Sequence, residues 1–167
     1  MRKAWYGVLL VGGVGLLTGC SQSAGATDGV ATVTDVVDGD TIDVLIAGRT
    51  ERVRLIGIDT PETKKPDTPI ECYGPEASAN TTALLPDGTP VRIERDVVGR
   101  DDYGRLLGYV YRLDDGLLVN LHIIEQGYAT PLSIPPNTTF ATAFAAAAGE
   151  AERSDVGLWA ACTGTGR

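Results

Sequence analysis

Val53-Arg54-Leu55-Ile56-Gly57-Ile58-Asp59-Thr60-Pro61-Glu62-Thr63 begins as an apolar strand, carries an arginine inside it, and breaks into two acids within four residues. Arg54 alternates with Ile56 and Ile58, so one strand face mixes a cation with apolar groups. A guanidinium set against an apolar surface needs an anion, either from the protein or from a ligand. A structural ion pair with Glu51 or a strand neighbour is one way to meet that need. Asp59 and Glu62 lie just past the strand end, close enough in sequence to approach one centre.

The flanking sequence has the same short, β-rich texture. Ala31–Val37 and Thr41–Ala47 stand on either side of the turn signal Asp38-Gly39, and Ala47-Gly48 leads into the run Arg49–Asp59. These three runs predict a meander. A polar loop with three prolines extends from Pro61 to Cys72. Tyr73-Gly74-Pro75-Glu76 then predicts a helix starting at Pro75 and ending near Leu85. Val91–Val97 and Arg105–Leu113 read as strands, and Val119–Gly127 as a short helix stopped by Gly127. An Ala-rich helix is expected over Thr139–Arg153, with Leu158-Trp159 as a packing plug. About five strands followed by two or three helices predict an α+β domain, mainly β, or a small closed barrel with helices at its ends.

The first twenty residues differ in kind from the rest. Arg2 and Lys3 precede an apolar, Gly-rich run that ends at Leu17-Thr18-Gly19-Cys20. That is the pattern of a secretory signal, and the run of about fifteen apolar residues is short for a membrane span. Leu-Thr-Gly-Cys resembles a lipobox, which makes Cys20 a lipidation site. Residues 1–19 are then a lipoprotein signal peptide, 20–29 a flexible tether, 30–162 the folded domain and 163–167 a tail. Export places the protein at the cell surface. Cys72 and Cys162 remain, to pair in an oxidising compartment or to stand as two free thiols. Without close Cys pairs and with His122 as the single histidine, a Cys/His metal site is not expected.

The chain has 22 acidic and 14 basic residues, a net charge of −8; loss of residues 1–19 removes two basic residues and no acid, leaving about −10. This is not the electrostatic footprint expected of a nucleic-acid binder. It suits solubility, and also a halophilic prokaryote in whose high salt self-repulsion is screened.

Further chemistry comes from two more segments. Asp38-Gly39-Asp40-Thr41 is a hairpin turn that becomes functional if Asp40 faces Asp59. Asp101-Asp102-Tyr103-Gly104-Arg105 places a second guanidinium after a glycine turn. Two carboxylates and a backbone carbonyl make an all-oxygen site for a hard cation. Two arginines suit phosphate, whose hydrolysis develops charge on equatorial oxygens, and a nearby carboxylate can handle the attacking water.

Val36–Val44, Val53–Lys64, Tyr73–Thr81, Asp101–Tyr111, Leu118–Ala129 and Gly157–Trp159 together resemble the staphylococcal (thermo)nuclease family, over about residues 30–160. The resemblance implies an OB-fold, a five-stranded barrel with about three helices. It implies Ca2+-dependent hydrolysis of DNA and RNA with little sequence preference, leaving 3′-phosphate ends. On this resemblance Asp40, Asp59 and the Thr60 carbonyl hold Ca2+. Glu62 orients water or acts as general base, Arg54 and Arg105 clamp phosphate, and Tyr103 lies beside the nucleotide. A monomer is expected. The chain departs from the family type at Asp102, where a lysine is usual, at Asp67 and Thr68 in the loop, and at Thr130–Ile134, which lacks a base-stacking tyrosine. Accessory grip on nucleic acid is therefore expected to be weaker. A non-catalytic barrel that binds nucleic acid and a structural lipoprotein are the other readings; neither needs the whole set of side chains.

Overall fold

A computed structural model describes Met1, residues 29–64 and residues 69–162. The expected signal peptide, Cys20, nearly all of the tether, Asp67 and Thr68 of the loop, and the 163–167 tail lie outside the described residues. Among the described residues no helix is long and apolar enough to cross a membrane.

The chain runs β1 (Gly29–Val36), β2 (Thr41–Ile46), β3 (Arg49–Leu55), β4 (Gly57–Asp59), α1 (Gly74–Leu84), β5 (Pro90–Glu94), β6 (Leu106–Arg112), α2 (Val119–Glu125), β7 (Thr130–Leu132), α3 (Ala141–Arg153) and α4 (Leu158–Ala161). Five strands close a barrel in the order β1-β2-β3-β6-β5. The β3–β6 pair is parallel; β1–β2, β2–β3, β5–β6 and the closing β1–β5 pair are antiparallel. This is the mainly β α+β closed barrel that the strand runs predicted, and the OB type that the family resemblance implied, with α1 inserted between β4 and β5.

Period-two alternation points Val33, Ile42, Val44, Val53, Leu55, Val91 and Ile93 inward. Val119, Ile123 and Ile124 of α2 and Phe144 and Ala148 of α3 complete the same core. Asn120 is fully buried and satisfied: its Oδ1 accepts the Val110 amide at 2.9 Å and its Nδ2 donates to the Ile56 carbonyl at 2.9 Å.

The predicted single strand Arg49–Asp59 is two strands. Gly57 has φ +82°, and a Cβ there would stand 2.5 Å from a ring carbon of Phe144. The chain therefore leaves the barrel at Ile56, and β4 pairs instead with β7, with Asp59 opposite Thr130. The simple alternation of Arg54, Ile56 and Ile58 on one face does not survive that turn. The Val91–Val97 run pairs only as far as Glu94, and the Ala-rich helix starts at Ala141 rather than Thr139.

Cys72 and Cys162 are bonded, S–S 2.07 Å, tying the start of α1 to the end of α4 across 90 residues.

Candidate active site

Register builds the site. Thr41 pairs with Arg54 across β2–β3, and the Leu55 amide donates to the Asp40 carbonyl at 2.8 Å. Asp40, one residue before β2, therefore comes to lie beside Arg54. The Asp38-Gly39 turn is fixed from two sides. Asp38 Oδ1 accepts the Asp40 amide at 3.1 Å, and buried Thr81 of α1 donates its hydroxyl to the Gly39 carbonyl at 2.7 Å. A Cβ on Gly39 would stand 2.6 Å from the Thr60 hydroxyl oxygen, so only glycine lets the hairpin and the Thr60 segment touch.

Arg54 is the hub. Its Nε meets Asp40 Oδ1 and its Nη2 meets Asp59 Oδ1, each at 3.0 Å. Its Nη1 donates to the carbonyls of Leu55 and Ile58, the latter at 2.9 Å. Glu51 is not its partner; Glu51 takes a two-pronged bond from Arg100 at 2.9 and 3.0 Å. Asp40 Oδ2 accepts both the amide and the hydroxyl of Thr60 at 3.0 Å, and Asp40 Oδ1 also accepts the Thr41 hydroxyl at 3.1 Å. Asp40, Arg54, Asp59 and Thr60 are thus one bonded group.

Partial desolvation by its neighbours, despite a side chain still open to solvent, raises the Asp59 carboxyl above its ordinary value; Arg54 opposes this, while Asp40, Glu71 and Glu62 add repulsion in the same upward direction. The Glu62 carboxylate is turned onto its own loop, Oε1 accepting the amides of Thr63 and Lys64 at 2.8 and 2.7 Å.

Arg105 and Arg54 both line one cleft of about 590 Å³. Asp101 organises Arg105: Asp101 Oδ2 takes the Arg105 Nε at 2.7 Å, and Oδ1 takes the amides of Arg105 and Tyr103 at 2.9 and 3.1 Å. Burial works to raise the Asp101 carboxyl, but these bonds outweigh it and hold it below its ordinary value. Tyr103 is exposed, its ring 5.5 Å from the Arg105 guanidinium carbon. Asp102, Leu132 and Ile134 line the same cleft, so its lining includes aliphatic side chains and an acid beside the arginines.

Among the described residues no group of three or more His, Cys, Asp and Glu is assembled to hold a metal ion. The donors at hand are nonetheless of one kind. Asp40 and Asp59 are hard oxygen donors, and carboxylate repulsion around Asp59 is what a bound cation would relieve. Asp40 already has two hydrogen-bond donors on each oxygen, whereas Asp59 is more than half exposed. Asp59 therefore fits an open, water-completed cation site, and Asp40 can join it by exchanging one of its four hydrogen-bond donors for the cation.

Two features escaped the sequence reading. Glu71 bonds to the Glu62 backbone from a loop position that the motifs on either side leave out. Strand β7 forms one wall, and its three residues with a central Pro131 carry no recognisable strand signal.

A closed five-stranded barrel with this guanidinium–carboxylate group beside an open cleft defines an OB-fold protein built for a phosphate-bearing ligand. The profile for "Staphylococcal nuclease homologue" matches residues 52–161. A thermonuclease of Staphylococcus intermedius is 40% identical over 124 residues, 74% of this chain and 72% of that protein. A thermonuclease of Staphylococcus hyicus is 36% identical over 145 residues, 85% of this chain and 84% of that protein. The endonuclease YncB of Bacillus subtilis is 37% identical over 130 residues, 77% of this chain and 60% of that protein. The chain belongs to the staphylococcal nuclease family of phosphodiester hydrolases.

Proposed function

We propose that this protein is an exported, Ca2+-dependent nuclease that cleaves DNA and RNA with little sequence preference and leaves 3′-phosphate ends. The observation that carries the reading is the bonded group Asp40–Arg54–Asp59–Thr60 with Arg105 lining the same cleft as Arg54. Asp40, Asp59 and the Thr60 carbonyl would hold Ca2+, which when bound supplies positive charge against the phosphate oxygens. Arg105, bonded to Asp101 through Nε, can present its terminal nitrogens to those oxygens, while Arg54, with four of its five N–H groups already bonded, adds its charge and one remaining N–H. Glu62 orients the attacking water or takes its proton. Tyr103, exposed at the cleft, lies beside the nucleotide.

Asp102, Leu132 and Ile134 line the cleft beside Tyr103, so the stacking surface among its lining residues is that one ring and an acid offsets part of the attraction of the arginines. Affinity then rests on the phosphate clamp. The N-terminal sequence supports export with a lipid on Cys20 that holds a monomeric enzyme at the cell surface. The Cys72–Cys162 bond suits an oxidising compartment.

The test is cleavage of plasmid DNA, denatured DNA and RNA by the mature protein across a range of salt, first with Ca2+ and then with a chelator. Ca2+-dependent cleavage of all three is expected. No cleavage in any salt would leave a non-catalytic binding barrel as the better reading.

A further inference from the structure

The loop carrying Glu62 is held from one side by a single residue. Glu71 Oε2 accepts the Glu62 amide at 2.9 Å, and the Glu71 amide donates to the Glu62 carbonyl at 2.9 Å. Both backbone polar groups of Glu62 are therefore taken up by Glu71. Because the Glu62 carboxylate is bonded to the next two amides of the same loop, fixing the loop backbone also fixes the carboxylate.

The three residues after Glu71 hold it in place. Cys72 is joined covalently to Cys162 beyond α4. Tyr73 caps α1 with φ +69°, a costly conformation for a bulky residue, and stacks on Tyr128 with ring centres 5.3 Å apart. A Cβ on Gly74 would stand 3.0 and 3.1 Å from the carbonyl oxygens of Glu62 and Pro61, so the first turn of α1 is pressed against the loop. Glu71 itself is exposed and adds nothing to the core.

We propose that Glu71 is the positioning residue for Glu62, and that the Cys72–Cys162 crosslink is the tether that keeps Glu71 in register. The inference rests on Glu62 being the water-handling residue. A group that aligns water is sensitive to small errors, since a misplacement of about 1 Å can cost roughly a hundredfold in rate. Glu71 acts here through its hydrogen bonds rather than its charge. Gln at this position keeps an acceptor for the Glu62 amide and removes the charge that repels Asp59, so the two effects separate.

The experiment compares wild type with Glu71→Ala, Glu71→Gln and the pair Cys72→Ser/Cys162→Ser, at saturating Ca2+ on single-stranded DNA. It reads kcat and KM separately, hydrogen exchange of the Glu62 amide, and thermal unfolding. Glu71→Ala is expected to lower kcat roughly ten- to hundredfold with KM within about twofold, and to speed exchange at Glu62. Glu71→Gln is expected to restore kcat to within about threefold of wild type. The double Cys variant, assayed below its unfolding temperature, is expected to lose kcat several-fold in the same way. Should Glu71→Ala not fold, Glu71→Asp, one methylene short of the Glu62 amide, repeats the comparison. An unchanged kcat in Glu71→Ala overturns the positioning role, and Gln as poor as Ala overturns the hydrogen-bond basis. Wild-type kcat in the double Cys variant overturns the tether. Absence of cleavage by wild type instead overturns the nuclease reading on which the inference stands.

Discussion

Replacing Arg54 by Met in the Ca2+-free protein should cost about 3 kcal/mol of stability, before any question of catalysis arises. The Arg54 side chain is 15% exposed and that of Asp40 9%, so both charges of this pair are largely out of water. Removing one member of such a pair leaves the other uncompensated, at a typical cost of about 3–5 kcal/mol. The lower end applies because Asp40 keeps three bonds, from the Thr60 amide, the Thr60 hydroxyl and the Thr41 hydroxyl. Met preserves much of the buried side-chain volume, which limits any cavity term. For a domain of this size the loss corresponds to a fall in Tm of about 10 °C.

Urea or thermal unfolding in chelator, on Arg54→Met, Asp40→Asn and the double variant, closes a double-mutant cycle. The double variant should recover part of the loss, because the amide introduced by Asp40→Asn carries no charge that needs Arg54. A loss below about 0.5 kcal/mol in Arg54→Met, or strictly additive single effects, would refute the buried-pair reasoning. The same result bears on function: activity lost in Arg54 variants has to be measured well below their Tm, or a stability effect passes for a catalytic one.

Glu62→Gln should lower kcat by about 10²–10⁴-fold with Tm nearly unchanged, read by steady-state cleavage and circular dichroism. Replacing Cys72 and Cys162 by Ser should cost roughly 4–5 kcal/mol on the chain-entropy model for a closed loop of 90 residues, read by urea unfolding. Asp101→Asn should show a pH signature. The folded Asp101 carboxyl lies below its ordinary 3.8, so its contribution is present above that value and lost as pH falls through the depressed one. Wild type should exceed Asp101→Asn in stability at neutral pH, with the difference vanishing in strong acid; a constant difference would contradict the Arg105–Asp101 bond.

The barrel could be read from the sequence because its determinants are local. The runs around Asp38-Gly39 and Ala47-Gly48 carry their own turn chemistry, and β5 and the buried end of β3 alternate as the sequence pattern does. The end of β3 could not be read in the same way. A glycine inside an apolar run signals a bulge in general, but only the Phe144 ring from α3 shows why the chain must leave the barrel at Gly57. β7 exists because β4 has been turned out to meet it, so its pairing is a consequence of tertiary structure. For the site, Arg54, Asp59 and Glu62 announce themselves within nine residues. Arg54's bonding to Asp40 rather than Glu51 depends on the β2–β3 register. Glu71 was invisible because its role is carried by backbone bonds to Glu62, which leave no spacing or composition signal.

Cleavage of a 5′-labelled DNA oligonucleotide by the mature protein tests the central claim most directly, with Ca2+ present or chelated and product ends probed by phosphatase. Cleavage only with Ca2+, giving products whose mobility shifts on phosphatase treatment because they end in 3′-phosphate, is the expected result. Undiminished cleavage in chelator, products ending in 3′-hydroxyl, or no cleavage at all would contradict it.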